Sequence, residues 1–128
     1  MTLLILATAV LLLATKAADC ITTLHRVPTT AETNPLGRAL MHSIGHRTAI
    51  ALVFGVSIAI VAAASSAALI LNWWPATAAY VILGSAIAAI QLAVAHTNWT
   101  DRMNPITRRV ARLHGFAEAI QRDRRRWQ

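Results

Sequence analysis

Charged side chains are missing from the middle of this sequence. After Arg47 no Lys, Arg, Asp or Glu occurs until Asp101, and charged residues make up 13% of the chain, about half of the ~25% usual in soluble domains. Cys20 is the only cysteine, which excludes an intrachain disulfide and a cysteine-based metal cluster within one chain. The sequence also lacks a glycine-rich phosphate loop and a Ser/His/Asp arrangement typical of nucleophilic catalysis. We expect no cofactor.

What the sequence has instead is long apolar segments. Hydrophobic residues make up 56% of the chain and its mean hydropathy is +0.53. The uncharged interval is too long for one helix, and Asn72 and Pro75, on either side of two tryptophans, are typical of a turn near lipid headgroups. This predicts helices at about residues 48–71 and 76–95, each with the roughly 20 apolar residues that cross ~30 Å of hydrocarbon.

The first apolar segment is interrupted by Lys16 and Asp19. Helical spacing places these two side chains next to each other, and Lys16 can extend toward the headgroups, so a third span at about residues 3–24 is expected. An interfacial or re-entrant first helix is the alternative. The predicted fold is all-α: an integral membrane, three-helix transmembrane bundle with a C-terminal amphipathic cytosolic helix.

Charge asymmetry predicts the orientation. The loop at residues 25–47 carries three arginines against Glu32, and the tail carries eight arginines against three acids. The turn between the second and third helices is uncharged, so the positive-inside rule places both basic segments in the cytoplasm. We therefore expect a multi-pass protein of the cell (inner, cytoplasmic) membrane, N-terminus outside and C-terminus cytoplasmic. Residues 1–98 would form the transmembrane domain and residues 99–128 a basic cytosolic tail helix.

Polar residues near the cytoplasmic ends of the helices define a candidate site. A carboxylate in a membrane helix is costly and generally faces a bundle interior or a cavity, which singles out Asp19. Gln91 is expected at similar depth. The candidate polar site comprises Asp19, Thr22, Glu32, Asn34, Gln91 and His96, with His25 and Asn98 nearby. The structural alternative is a Lys16–Asp19 pair, with Gln91 holding helices together.

The same run of residues carries a resemblance. Residues 19–35 contain Asp19-Cys20-Ile21-Thr22 and then Glu32-Thr33-Asn34-Pro35. In these it resembles a family of small bacterial and archaeal integral membrane proteins of unknown function, with an Asp-x-x-Thr helix end and a Glu-x-Asn-Pro loop. Members often have a glycine before the Glu, where this chain has Ala31. The resemblance implies topology and candidate residues, without a known chemistry.

Two asparagine–proline pairs predict helix starts. Asn34 and Asn104 each read as an N-cap followed by proline at the first helical position. On a helix from Pro35, His42 and His46 would share one face, which is metal-competent spacing. No acidic third ligand lies within that helix and no HExxH pattern is present, so we expect no metal site.

The tail and the small residues indicate interaction surfaces. From Pro105 the tail has one apolar stripe with arginines elsewhere, typical of a helix on anionic lipid headgroups; a partner helix is the alternative and nucleic acid is not expected. The residues expected to bind lipid or a partner are Arg108, Arg109, Arg112, Arg122, Arg124, Arg125 and Arg126. Small residues recur every four positions in two rows, which would serve packing within the chain, self-association or docking on other membrane-protein helices: Gly55, Ala59, Ala63, Ala67, and Gly84, Ala88.

Three functions follow as hypotheses. The leading one is a non-enzymatic accessory, assembly or interaction subunit that works by helix packing and a basic membrane-surface tail. The second is a phage-type holin that forms membrane lesions. The third is a small intramembrane enzyme or transport element that uses Asp19.

Overall fold

The computed structural model describes residues 1–27, 35–102, 104–110 and 112, and this part of the chain is helical without strands. Its helices are α1 (Thr2–Arg26), α2 (Pro35–Ile44), α3 (His46–Leu71) and α4 (Trp74–Thr100), and residues 105–110 are helical as well. The three helices α1, α3 and α4 are long and apolar enough to cross a membrane. For the residues that the structure describes, the prediction of an all-α fold with three such helices is confirmed.

Local chemistry explains where the helices end. Asn72 closes α3 in the left-handed conformation with φ of 43°, and its amide donates to the carbonyl of Ala68. Asparagine tolerates this conformation better than most residues. Pro75 lies in the first turn of α4, where its missing N–H has no helical acceptor. These two residues separate α3 from α4 by a turn of only two residues.

α1 is the central helix of the bundle, since it packs against both α3 and α4 while those two contact each other much less. Its buried side chains Ile5, Thr8, Leu12 and Thr15 follow alternating spacings of three and four residues, as in a coiled-coil seam. Thr15 pairs with Gln91, and Thr23 pairs with Asn98, further along both helices. α1 and α4 therefore run parallel, with a register that shifts by one residue between the two contacts.

The closest approach of α1 to α4 is at Gly84. A Cβ placed on Gly84 would lie 2.5 Å from Thr8 Cγ2 and 3.3 Å from Leu12 Cδ1. The hydroxyl of Thr8 donates to the carbonyl of Leu4 at 2.8 Å, so this side chain is buried without an unsatisfied polar atom. Glycine at this position is what allows the two backbones to come close.

α3 runs antiparallel to α1 and α4. Near the end of α1, Cys20 is buried against Ala49 and Ile50 of α3 and Met41 of α2. At the far end, Ser65 of α3 and Tyr80 of α4 share a hydrogen bond of 2.8 Å. Both ends of α3 are thus tied into the bundle.

The prediction that His42 and His46 share one helix face is wrong. α2 ends at Ile44 and α3 begins at His46, so the two histidines belong to different helices. Gly45 between them has φ of 86° and ψ of 153°, a backbone conformation that is essentially restricted to glycine. A residue in that conformation interrupts the helical repeat, and the i, i+4 relation between the histidines is lost.

Candidate functional site

The described charged side chains gather toward one end of the bundle. α1 and α4 finish at this end, and α3 begins there, because α3 is antiparallel to both. We call it the basic end and define it by Arg26, Arg38, Arg47, Arg102, Arg108, Arg109 and Arg112. At the opposite end, the turn around Asn72 and the first turn of α1 carry no charged side chain.

Asp19 is held by a neighbour on its own helix. Lys16 Nζ donates to Asp19 Oδ2 at 2.7 Å, and both side chains are mostly buried, with 18% and 15% of their surfaces exposed. The hydroxyl of Thr22 donates to the backbone carbonyl of Asp19 at 3.0 Å. The predicted Lys16–Asp19 pair is confirmed. Most of the negative charge of Asp19 is therefore compensated within α1.

Gln91 joins α4 to α1 at a different level from Asp19. The buried hydroxyl of Thr15 donates to Gln91 Oε1 at 2.7 Å. Thr15 precedes Asp19 by one helical turn, so the amide of Gln91 is engaged about 6 Å deeper along α1 than the carboxylate. Hydrogen bonds of this kind link apolar helices in a membrane. Holding helices together is the structural role that the sequence analysis gave as the alternative for Gln91.

A second polar contact links the ends of α1 and α4. Asn98 Nδ2 donates to Thr23 Oγ1 at 3.1 Å, and the guanidinium of Arg26 lies 4.7 Å from the centroid of the Trp99 ring. Such cation–π pairs stabilise by about 0.5–1 kcal/mol at exposed sites. His96, a predicted member of the site, lies near this contact along α4 and is exposed.

The tail is attached to α4 by a compact hydrogen-bond network. Asn104 Nδ2 donates to the carbonyl of Ala93 at 2.6 Å and to Thr97 Oγ1 at 3.1 Å. Thr107 Oγ1 donates to the same Ala93 carbonyl at 3.2 Å and accepts from Thr97 at 2.9 Å. We call this set of four residues, Ala93, Thr97, Asn104 and Thr107, the tail joint. It folds the chain back onto α4 after the left-handed residue Asp101.

The tail joint also confirms a predicted helix start. Asn104 Oδ1 accepts from the backbone N–H of Thr107 at 2.9 Å, and Asn104 is followed by helical residues from Pro105 onward. This is the N-cap geometry expected for an asparagine–proline pair. α2 likewise begins at Pro35, whereas the cap residue Asn34 lies outside the described residues.

Asn98 was expected near the candidate site, whereas the polar contacts of Thr15, Thr23, Thr97 and Thr107 were not predicted from the sequence. The residue types alone indicate these polar contacts only weakly. Each is a small polar residue in or beside an apolar segment, where interhelical hydrogen bonding is common, but threonine can equally bond its own helix, as Thr8 does.

The two histidines considered as weak metal candidates, His42 and His46, have different surroundings. Among the described residues no three His, Cys, Asp or Glu side chains come together as a metal group. His46 Nε2 is buried and has no hydrogen-bond partner in the described part of the chain, and His42 is exposed on α2. Several predicted site residues lie outside the described ranges: Glu32, Asn34, Arg122, Arg124, Arg125 and Arg126.

The two rows of small residues have different surroundings. Gly84 and Ala88 on α4 are buried, and Gly84 lies against α1. The row on α3, which we call the α3 small face, is exposed along its whole length: Gly55, Ala59, Ala63 and Ala67. A Cβ on Gly55 would meet no atom within 4 Å. One row is therefore used within the bundle and the other is open.

No known protein family, curated protein or solved structure matches this chain. The resemblance of residues 19–35 to the family of small membrane proteins stays a prediction.

Proposed function

We propose that this chain is a non-enzymatic accessory subunit of the cytoplasmic membrane that docks a helix of a larger membrane protein on the α3 small face. Its N-terminus would be outside and its basic end cytoplasmic. The proposal depends on the exposure of the α3 small face: Gly55, Ala59, Ala63 and Ala67. The comparable row on α4, which begins at Gly84, is instead buried, and Gly84 lies against α1.

The geometry of small residues supports helix docking. In lipid, association depends on close van der Waals packing, and rows of small residues every four positions let two helix backbones approach. The contact of Gly84 with Thr8 shows that this chain uses such packing internally. An open row on α3 offers the same kind of contact to a helix from outside the bundle.

Charge favours a different protein over a second copy as the occupant. The chain has a formal net charge of +7, and its described arginines are at the basic end. Two copies packed side by side in the same orientation would bring two basic ends together, and like charges repel. A partner with an acidic cytoplasmic surface would instead be attracted.

Crosslinking in native membranes tests the proposal. A photoactivatable diazirine amino acid at Val56, an exposed residue beside Gly55, should form one discrete adduct with a second protein. Gly55→Ile should reduce its yield by about fivefold or more, because an added side chain in a close contact costs ~1–3 kcal/mol. The matched control, Ala86→Ile on the exposed face of α4, should leave the yield unchanged.

The other outcomes separate the alternatives. An adduct formed only between two copies, with membrane depolarisation on induction, would support the holin hypothesis and contradict docking on a larger protein. Equal loss of adduct from Gly55→Ile and Ala86→Ile would also contradict the α3 small face as the contact. An enzyme or ion pathway that uses Asp19 would lose its activity in Asp19→Asn while the crosslink persists.

A further inference from the structure

The tail joint fixes where the tail begins relative to the bundle. Asn104 and Thr107 both bond the carbonyl of Ala93, so the first turn of the tail helix lies beside Ala93, two turns before the end of α4. Four hydrogen bonds to α4 hold it there. The tail therefore starts at a defined level of the bundle and does not extend freely from the end of α4.

This level is one hydrocarbon thickness from the tryptophan turn. Trp74 begins α4, and nineteen helical steps separate it from Ala93, which corresponds to about 28 Å at ~1.5 Å per residue. The hydrocarbon core is ~30 Å thick, and tryptophans favour its boundary. With Trp74 at one boundary, the tail joint lies at the other.

The charged pair of α1 lies at the same level. Gln91 is level with Thr15, and α1 runs parallel to α4, so Ala93 and Ala95 are level with the segment from Lys16 to Asp19. Both side chains are mostly buried but keep a minor part of their surface exposed, 18% for Lys16 and 15% for Asp19. A boundary here gives Lys16 and Asp19 contact with headgroups and removes the cost of a charge within hydrocarbon.

The surface of the tail helix matches this position. Ile106 is 45% exposed, and Arg108, Arg109 and Arg112 are exposed as well. From Asp101 to Arg112 the described residues contain one acid and four arginines. An apolar side chain beside arginines is typical of a helix that lies in the plane of an anionic membrane surface.

We propose that residues 104–110 and Arg112 belong to an interfacial helix, positioned by the tail joint at the hydrocarbon boundary, whose arginines Arg108, Arg109 and Arg112 bind the phosphates of anionic phospholipids in the same membrane. The inference rests on the membrane placement of the proposed function and is independent of the α3 small face.

Amide hydrogen exchange of the full chain in nanodiscs tests it. The amides of residues 106–110 and of Arg112 should exchange at least tenfold more slowly in equimolar phosphatidylglycerol and phosphatidylcholine than in phosphatidylcholine alone. Arg109→Gln should reduce this protection about fivefold, the equivalent of ~1 kcal/mol per arginine at an anionic surface. The matched control Arg47→Gln also removes one exposed charge at the basic end, but from α3 and not from the tail. It should leave the slow exchange of the tail amides unchanged.

A second variant separates the joint from lipid binding. Asn104→Ser keeps a good N-cap but cannot reach the carbonyl of Ala93. It should speed exchange of the tail in both lipid mixtures while the ratio between them persists. Soluble glycerol phosphate added to phosphatidylcholine nanodiscs should not slow exchange, since the phosphates must be held at the boundary.

Three results would overturn the inference: equal exchange in the two lipid mixtures, equal loss from Arg47→Gln and Arg109→Gln, or full protection by soluble glycerol phosphate. If the chain is inserted in the nanodisc, any of these three results leaves the proposal of docking at the α3 small face unaffected. Failure of the chain to enter nanodiscs would contradict both proposals at once.

Discussion

At the scale of single residues, the same amino acid has different roles according to what lies opposite it. Gly84 and Gly55 both lie inside long apolar helices, and both begin rows of small residues. Gly84 lies against Thr8 and Leu12, whereas Gly55 has open space around it. The sequence could not distinguish the two positions, because the difference lies entirely on the neighbouring helix.

This contrast gives a matched stability prediction. Gly84→Ala should lower the stability of the bundle by about 1–3 kcal/mol, because the new methyl group overlaps the buried and hydrogen-bonded Thr8. Gly55→Ala should be neutral or stabilising, since alanine favours a helix over glycine by ~1 kcal/mol and meets no neighbour. Thermal unfolding of the purified protein in one detergent measures the change in stability caused by each substitution. Equal changes for Gly84→Ala and Gly55→Ala would contradict the close contact of α1 with α4 at Gly84.

The neighbours of Asp19 were predicted only in part from the sequence. Its pairing with Lys16 followed from helical spacing and is present at 2.7 Å. The expected nearness of Gln91 depended on counting residues from helix ends, and both ends differ from the prediction: α1 continues to Arg26 and α4 to Thr100. Gln91 therefore bonds Thr15, one turn away from Asp19.

At the scale of helices, starts and stops were largely readable from the sequence. Asn72, Pro75 and Asn104 act as their side-chain chemistry predicts, and α2 begins at Pro35. The break at Gly45 was not predicted, because the sequence pattern around this glycine looks like a continuous helix and does not indicate its backbone conformation. Only the packing of α2 on the start of α3 requires a corner there.

The corner at Gly45 gives an element-scale prediction. Gly45→Ala should destabilise the protein by about 1–3 kcal/mol, because an L-residue at φ of 86° and ψ of 153° is strained even though no atom lies within 4 Å of the new methyl group. The measurement is thermal unfolding, with exchange of the amides in α2 as a local readout. A Gly45→Ala chain as stable as the parent would show that the corner relaxes at no cost.

At the scale of the whole molecule, the bundle exposes apolar side chains on most sides. Leu3 and Ile70 are more than 80% exposed, and large exposed apolar residues occur on α1, α3 and α4. Monomeric soluble proteins rarely carry apolar patches of this extent. Together with charges that gather at one end, this distribution supports the placement of the three long helices in lipid.

Reporter fusions test the orientation. Fusions within residues 28–34 and after Gln128 should both give a cytoplasmic signal, because the arginines of both segments favour the cytoplasm. A fusion near Met1 should give an external signal if α1 crosses the membrane. A periplasmic signal from either basic segment would contradict the orientation, and a cytoplasmic signal at Met1 would contradict the span of α1.

The sequence by itself determined which segments are apolar helices, where most of them begin, and how charge is divided along the chain. These properties depend on each segment alone, since the cost of placing a charge in hydrocarbon does not depend on which helix is its neighbour. Tertiary structure decided that α1 lies between α3 and α4, that Gly84 is covered while the α3 small face is open, and that the tail returns to Ala93. Those outcomes depend on the fit between pairs of helices, and alanine-rich helices offer many rows of small residues of nearly equal quality.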